Sequence, residues 1–148
     1  MMLAVHELEE IVIGDKTQWD ISSDEKLKLG HNAIEMVLKD LLKKEEIKNL
    51  ILEFDARETA DAKFAHWCDK LECELQCKLY DLENCVDLTE QEKNNHVLRD
   101  PYVRELFQTK KTWSSMWLEF GRNKYGYDEN FTEVSNYADA HDISKVLK

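Results

Sequence analysis

The chain has 148 residues, 43% of them apolar and 34% charged, the balance of an ordinary globular domain rather than of a disordered tail. Lys and Arg number 20 against 31 Asp and Glu, a formal charge of −11. Such a field repels a polyanion and excludes a nucleic-acid polymer as partner unless a basic patch reverses it locally, and the pairs Lys43-Lys44 and Lys110-Lys111 are too isolated to do so.

Four Gly and one Pro leave few chain-breakers, which disfavours a turn-rich sheet and predicts an all-α fold of helices joined by short connections. The length suits a single domain over 1–148. In chain order, residues 1–13 are densely apolar around His6, Glu7, Glu9 and Glu10 and predict a mostly buried helix stopped at Gly14. Ser22-Ser23-Asp24-Glu25 offers a capping box, followed by Leu27, Ile34, Val37, Leu38, Leu41 and Leu42 at helical spacing. A shorter helix is expected over about 44–54, with Ile47, Leu50, Ile51 and Phe54 on its stripe. Thr59 then caps a long helix to about Asp81, striped by Phe64, Cys68, Leu71, Leu75 and Leu79. Thr89-Glu90-Gln91-Glu92 and Asp100-Pro101 open two more helices. Trp113, Met116, Trp117 and Phe120 form the next stripe, which reads as core rather than a base-stacking platform and stops near Gly121. A last helix is expected over 132–141.

Cys68, Cys73, Cys77 and Cys85 crowd one helix and its end without a C-x-x-C pair. They read as free thiols of a reducing compartment. No membrane-length apolar run and no leader with a basic start is present, so a soluble, cytoplasmic chain with no membrane partner is expected.

Two stretches could carry chemistry. Glu10 follows His6 by four residues and Glu7 by three, returning to the same side of a helix one turn later, and Asp15 comes just after Gly14. Buried carboxylates demand a cation, whereas on a wet amphipathic face they demand nothing, and spacing alone leaves both readings open. Asp69 lies at the shoulder of the long helix's apolar stripe, where pairing with Lys70, Arg57 or Lys63 competes with metal ligation as its explanation.

Together, Val5-His6-Glu7-Leu8-Glu9-Glu10-Ile11-Val12-Ile13-Gly14-Asp15 and the later Phe54–Phe64 stretch running into Cys68-Asp69-Lys70-Leu71-Glu72 resemble the HD-domain metal-dependent phosphohydrolases, nearest their nucleotidase-like branch. The resemblance spans roughly residues 1–81 and implies metal ligands in the order His, His-Asp, Asp. His6 then matches the second His, Glu7 stands where the pair's Asp stands, and Asp69 is the closing ligand. Glu10 matches the carboxylate that assists the attacking water, and Asp15 the one that orients water and substrate. Oxygen and imidazole donors suit Mn²⁺, Co²⁺, Mg²⁺, Fe²⁺ or Zn²⁺. The implied substrate is a nucleoside monophosphate or a similar small phosphate ester, and a bound cation would invert the acidic field for it.

Two departures qualify the match. Glu7 is one methylene longer than the usual Asp, and the family's first His belongs to a helix upstream of this segment, whereas numbering begins five residues before His6. The domain is therefore expected to be incomplete at its N-terminal side. Of His31, His66, His96 and His141, His66 is the best placed to substitute, being three residues before Asp69. His141-Asp142 repeats the dipeptide without a Glu at the right distance and is read as chance. The alternative function is a truncated or catalytically impaired helical module that serves in binding or oligomerisation. Its exposed apolar surface would favour a homo-oligomer.

Overall fold

The structure, a computed structural model, describes residues 1–145. The last three positions of the expected 1–148 domain lie outside the described residues. Every regular element among those described is helical, so the fold is all-α, as the scarcity of Gly and Pro predicts. The chain divides into two compact units, residues 1–66 and the part from Trp67 onward.

In the first unit a 3₁₀ turn at Met2–Ala4 and a short helix α1 at Glu10–Ile13 replace the single buried helix expected over 1–13. The physical reason is coverage. Met2 alone of this stretch is buried, while Val5 and Leu8 pack at the edge of an Ile34, Leu38 and Ile51 cluster. Ile11 and Val12 stay exposed. A run apolar on all sides but covered on one cannot hold a continuous helix by packing, and the β-branched Val5, Ile11, Val12 and Ile13 add little propensity of their own. Gly14 ends α1 with φ 72°, a left-handed conformation that favours glycine.

Helix α2 spans Ser23–Val37, and its N-cap Ser22 accepts the Glu25 N–H at 3.3 Å, the start that the capping box predicts. Helix α3 spans Lys44–Ala56 and ends at Arg57 in the left-handed region. Thr59 Oγ1 accepts the Ala62 N–H at 3.1 Å and donates to Glu53 Oε1 at 2.7 Å, joining the end of α3 to the start of α4, Ala60–Leu82. Early in α4 the buried residues are Ala62, Ala65 and His66, whereas Phe64 is exposed. The Phe64 end of the expected stripe is thus rotated. Small alanines let the helix approach Met2 and Phe54 closely, where a large ring would not fit.

The second unit holds the rest of α4, then α5 at Leu88–Asn94, a 3₁₀ turn at His96–Arg99, α6 at Pro101–Thr109, α7 at Trp113–Lys124 and α8 at Glu129–Ala140. Its N-termini are capped throughout. Asp87, not Thr89, caps α5, accepting the Thr89 and Glu90 N–H groups. Asp100 caps α6 with Pro101 in the first turn, Thr112 caps α7 and Asp128 caps α8. Leu71, Leu118, Ala138 and Ile143 form the core. Helix α7 runs through Gly121 instead of stopping there, because Gly121 is buried against a neighbouring side chain. Trp113, Met116 and Phe120 are core, as expected. Among the described residues no helix is long and apolar enough to cross a membrane.

Candidate functional site

The first unit carries four of the five sequence-predicted site residues on its opening segment. His6 lies in the turn between Met2–Ala4 and α1, packed against the Phe54 ring with centroids 4.6 Å apart. Its Nδ1 is 3.1 Å from the Leu3 carbonyl oxygen. A carbonyl only accepts, so this nitrogen carries the proton in the neutral ring and Nε2 is the basic nitrogen, the tautomer that a backbone carbonyl also fixes in metal-bound imidazoles. Nε2 lies 3.7 Å from Glu7 Oε1. The turn therefore brings together the adjacent pair that an ideal helix would point about 100° apart. The donor chemistry fits a divalent cation: one imidazole nitrogen and a largely exposed carboxylate directed toward the same side.

Glu10 opens α1, and its Oε1 accepts from Lys26 Nζ at 3.1 Å, while the same ammonium donates to the Lys16 carbonyl at 2.7 Å. Lys26 thus ties Glu10 to the segment after Gly14, and nothing in the spacing of the opening motif points to a lysine on the next helix. Asp15 is exposed beyond Gly14. Glu9 behaves differently from its neighbours: its stem packs on Gly30, and its Oε2 is buried without a hydrogen-bond partner among the described residues. Burial, with Asp55 and Glu10 nearby, raises its carboxyl above the ordinary range against the opposing pull of its own backbone and Lys26.

Asp69 belongs to the second unit, on α4, where Lys70 Nζ approaches its Oδ2 at 2.8 Å and only 12% of the side chain is exposed. It follows Ala62, Ala65 and His66 along one face of the helix. His66 is buried and meets Phe54 edge-on at 6.0 Å, so Phe54 carries both His6 and His66 on its ring. His31 pairs with Asp55 at 2.9 Å. His141 stacks on Tyr137 at 4.1 Å and bonds the Tyr137 carbonyl, a helix-end role that suits the reading of His141-Asp142 as chance. All four cysteines are free, and burial pushes the Cys73 thiol up to about 11 and the Cys77 thiol up to about 12. Thiols so protonated at neutral pH are inert.

The profile of the HD domain family matches residues 1–109. The chain is also similar to a 5'-deoxynucleotidase of Schizosaccharomyces pombe, 33% identical over 84 residues that cover 52% of this chain and 42% of the relative. It thus spans less than half the length of that relative. No solved structure matches the chain. The match covers the opening His-Glu segment, the helices behind it and the helix that carries Asp69, the same stretches whose residues resemble the family in sequence; the chain belongs to the HD-domain phosphohydrolases.

Proposed function

We propose that the chain is a divalent-metal-dependent phosphomonoesterase acting on nucleoside monophosphates, deoxynucleotides among them, with His6, Glu7 and Asp69 as metal ligands. The observation that carries the reading is the His6 turn. Its Nδ1 is engaged by the Leu3 carbonyl and its Nε2 is directed at Glu7 Oε1, which prepares two donors before any ion arrives. Membership of the HD family and likeness to a 5'-deoxynucleotidase support the reaction and substrate class.

A divalent ion at these donors would supply Lewis acidity toward a phosphoryl oxygen. The chain's own residues do the remaining work. Glu10, steadied by Lys26, takes the proton from the attacking water as general base and can return it to the leaving alkoxide. Asp15 orients water and substrate from beyond Gly14. Lys26, held between Glu10 and the Lys16 carbonyl, keeps those two segments in register. Lys70 holds Asp69 Oδ2 and fixes the direction of that carboxylate.

The test is metal titration by calorimetry together with phosphate release from a panel of nucleoside and deoxynucleoside monophosphates. Mn²⁺ or Co²⁺ is expected to bind and to switch on release. Absence of binding at millimolar ion, or release that ignores chelators, would overturn the proposal. Self-association is part of the same reading: Ile11, Met36 and Leu42 are large apolar side chains exposed on the first unit, and sedimentation velocity is expected to show a homo-oligomer.

A further inference from the structure

The proposed reaction leaves a buried carboxyl of the second unit unused. Glu74, on α4, is only 5% exposed, although carboxylates are rarely buried unless paired. Tyr127 Oη donates to its Oε1 at 3.0 Å, and its Oε2 has no hydrogen-bond partner among the described residues. Gly121 on α7 makes the space for it. A Cβ built there would sit 2.5 Å from Glu74 Cδ and 2.8 Å from Oε2, closer than real contacts allow. A helix-interior glycine is unfavourable in itself, and here it admits a carboxyl that any larger residue would displace.

The charged and titratable groups around Glu74 come from each element packed on it. Lys70 and Cys77 flank it one turn away on α4, and α7 presents Arg122. That guanidinium is already committed to Glu119 Oε2 at 2.7 Å and, on α8, to Asp139 Oδ2 at 2.9 Å. The connection between α7 and α8 presents Tyr127, stacked on Phe131 and tilted against Tyr125. Among the described residues Glu74 forms no ion pair, so its charge would face one hydroxyl donor and no committed cation.

We propose that Glu74 is a neutral acid in the folded unit and a pH-sensitive lock, joining α4 to α7 and to the Tyr127 connection, that is released as the carboxyl ionises. Burial pushes its carboxyl up to about 8, outweighing the opposing influence of the Tyr127 hydrogen bond, Arg122 and Lys70. The sign follows from linkage: the folded state holds a proton that the unfolded chain gives up near the ordinary glutamate value of 4.5. The stabilisation is complete below that value and is lost as pH rises through about 8.

The experiment follows thermal unfolding of the full chain between about pH 6 and about pH 9, with Glu74→Gln as the neutral isostere. The wild-type midpoint is expected to fall by several degrees across that interval, while the variant's stays level. A near-ultraviolet circular dichroism change from Tyr125, Tyr127 and Phe131 is expected in the wild type alone. Carbon-13 titration of the glutamate carboxyls, with Tyr127→Phe identifying the Glu74 resonance by its shift, keeps the proposal testable if Glu74→Gln does not fold. A resonance titrating on the alkaline side of neutrality supports the lock. Parallel stability profiles, or a Glu74 resonance titrating below about pH 5, would overturn it.

Discussion

The two units of this chain hold their important residues by different means. In the first, the His6–Asp15 segment has one 3₁₀ turn behind it and one four-residue helix within it. Its side chains are positioned by polar ties: Leu3 carbonyl to His6, Lys26 to Glu10 and to the Lys16 carbonyl. In the second, rings run in continuous contact from Phe107 through Trp113, Trp117, Phe120, Tyr125 and Tyr127 to Phe131. Packing fixes position there, and the buried carboxyl of Glu74 is admitted because Gly121 yields the space it occupies. The contrast teaches that the segment expected to do chemistry is the one least able to rely on a core, because its donors must meet an ion and water.

The largest effect that could break this comparison concerns function. His6→Ala should remove one proposed ligand and lower Mn²⁺ affinity and phosphate release by at least about 100-fold. The unfolding midpoint should change far less, since the His6 ring packs on Phe54 at the edge of the first unit and outside the packed second one. Calorimetry and a phosphate assay on the same preparation read both. Undiminished release would detach the opening segment from the chemistry altogether.

Stability should show the reverse bias. Leu118 is fully buried at the centre of the second unit, among Leu71, Ala138 and Ile143. Leu118→Ala should cost about 2–5 kcal/mol, measured by urea unfolding, because the surrounding helices cannot collapse onto the cavity. Gly121→Ala should also destabilise, through overlap with Glu74 rather than through a cavity. Losses smaller than those of surface substitutions would contradict the account of the second unit as the packed one.

The same contrast explains how much the sequence reveals. In the second unit, Asp100-Pro101, the Trp113–Phe120 stripe and the all-helical class are legible because local rules and tertiary packing agree there. Gly121 misleads, since a glycine that ends helices elsewhere is retained inside α7 to accommodate Glu74, a contact 47 positions away in sequence. Glu74 itself, between the acidic Glu72 and the basic Lys78 on α4, carries no mark in the sequence that sets it apart from its charged neighbours. In the first unit the motif residues are legible through family resemblance, but the break in the expected 1–13 helix is not. Periodicity reports which residues want burial and cannot report that Ile11 and Val12 find no cover. Lys26 is equally silent, because its partner Glu10 lies on another element.

A smaller effect sharpens the picture of how α8 is held. Asp128 accepts the Phe131 N–H at 2.9 Å as its N-cap. Asp128→Ala should lower stability by about 1 kcal/mol, as loss of a cap does elsewhere, and Asp128→Asn should restore most of it. Because Phe131 closes the run of rings with Tyr127, the alanine variant should also reduce the near-ultraviolet signal, whereas a cap without structural consequence would leave it unchanged.

The smallest expected change in stability belongs to the exposed apolar residues of the first unit. Ile11 is 73% exposed on α1, so Ile11→Ser should shift unfolding of the isolated chain by no more than about 0.5 kcal/mol. Its effect on association should be larger, because an apolar side chain left in water gains most when a second surface covers it. Sedimentation velocity at several concentrations would separate the two. Weaker self-association at unchanged stability means that α1 lies at a contact between copies, while unchanged association with lower stability means that Ile11 is covered within the chain, against the exposure on which the contrast between the units rests.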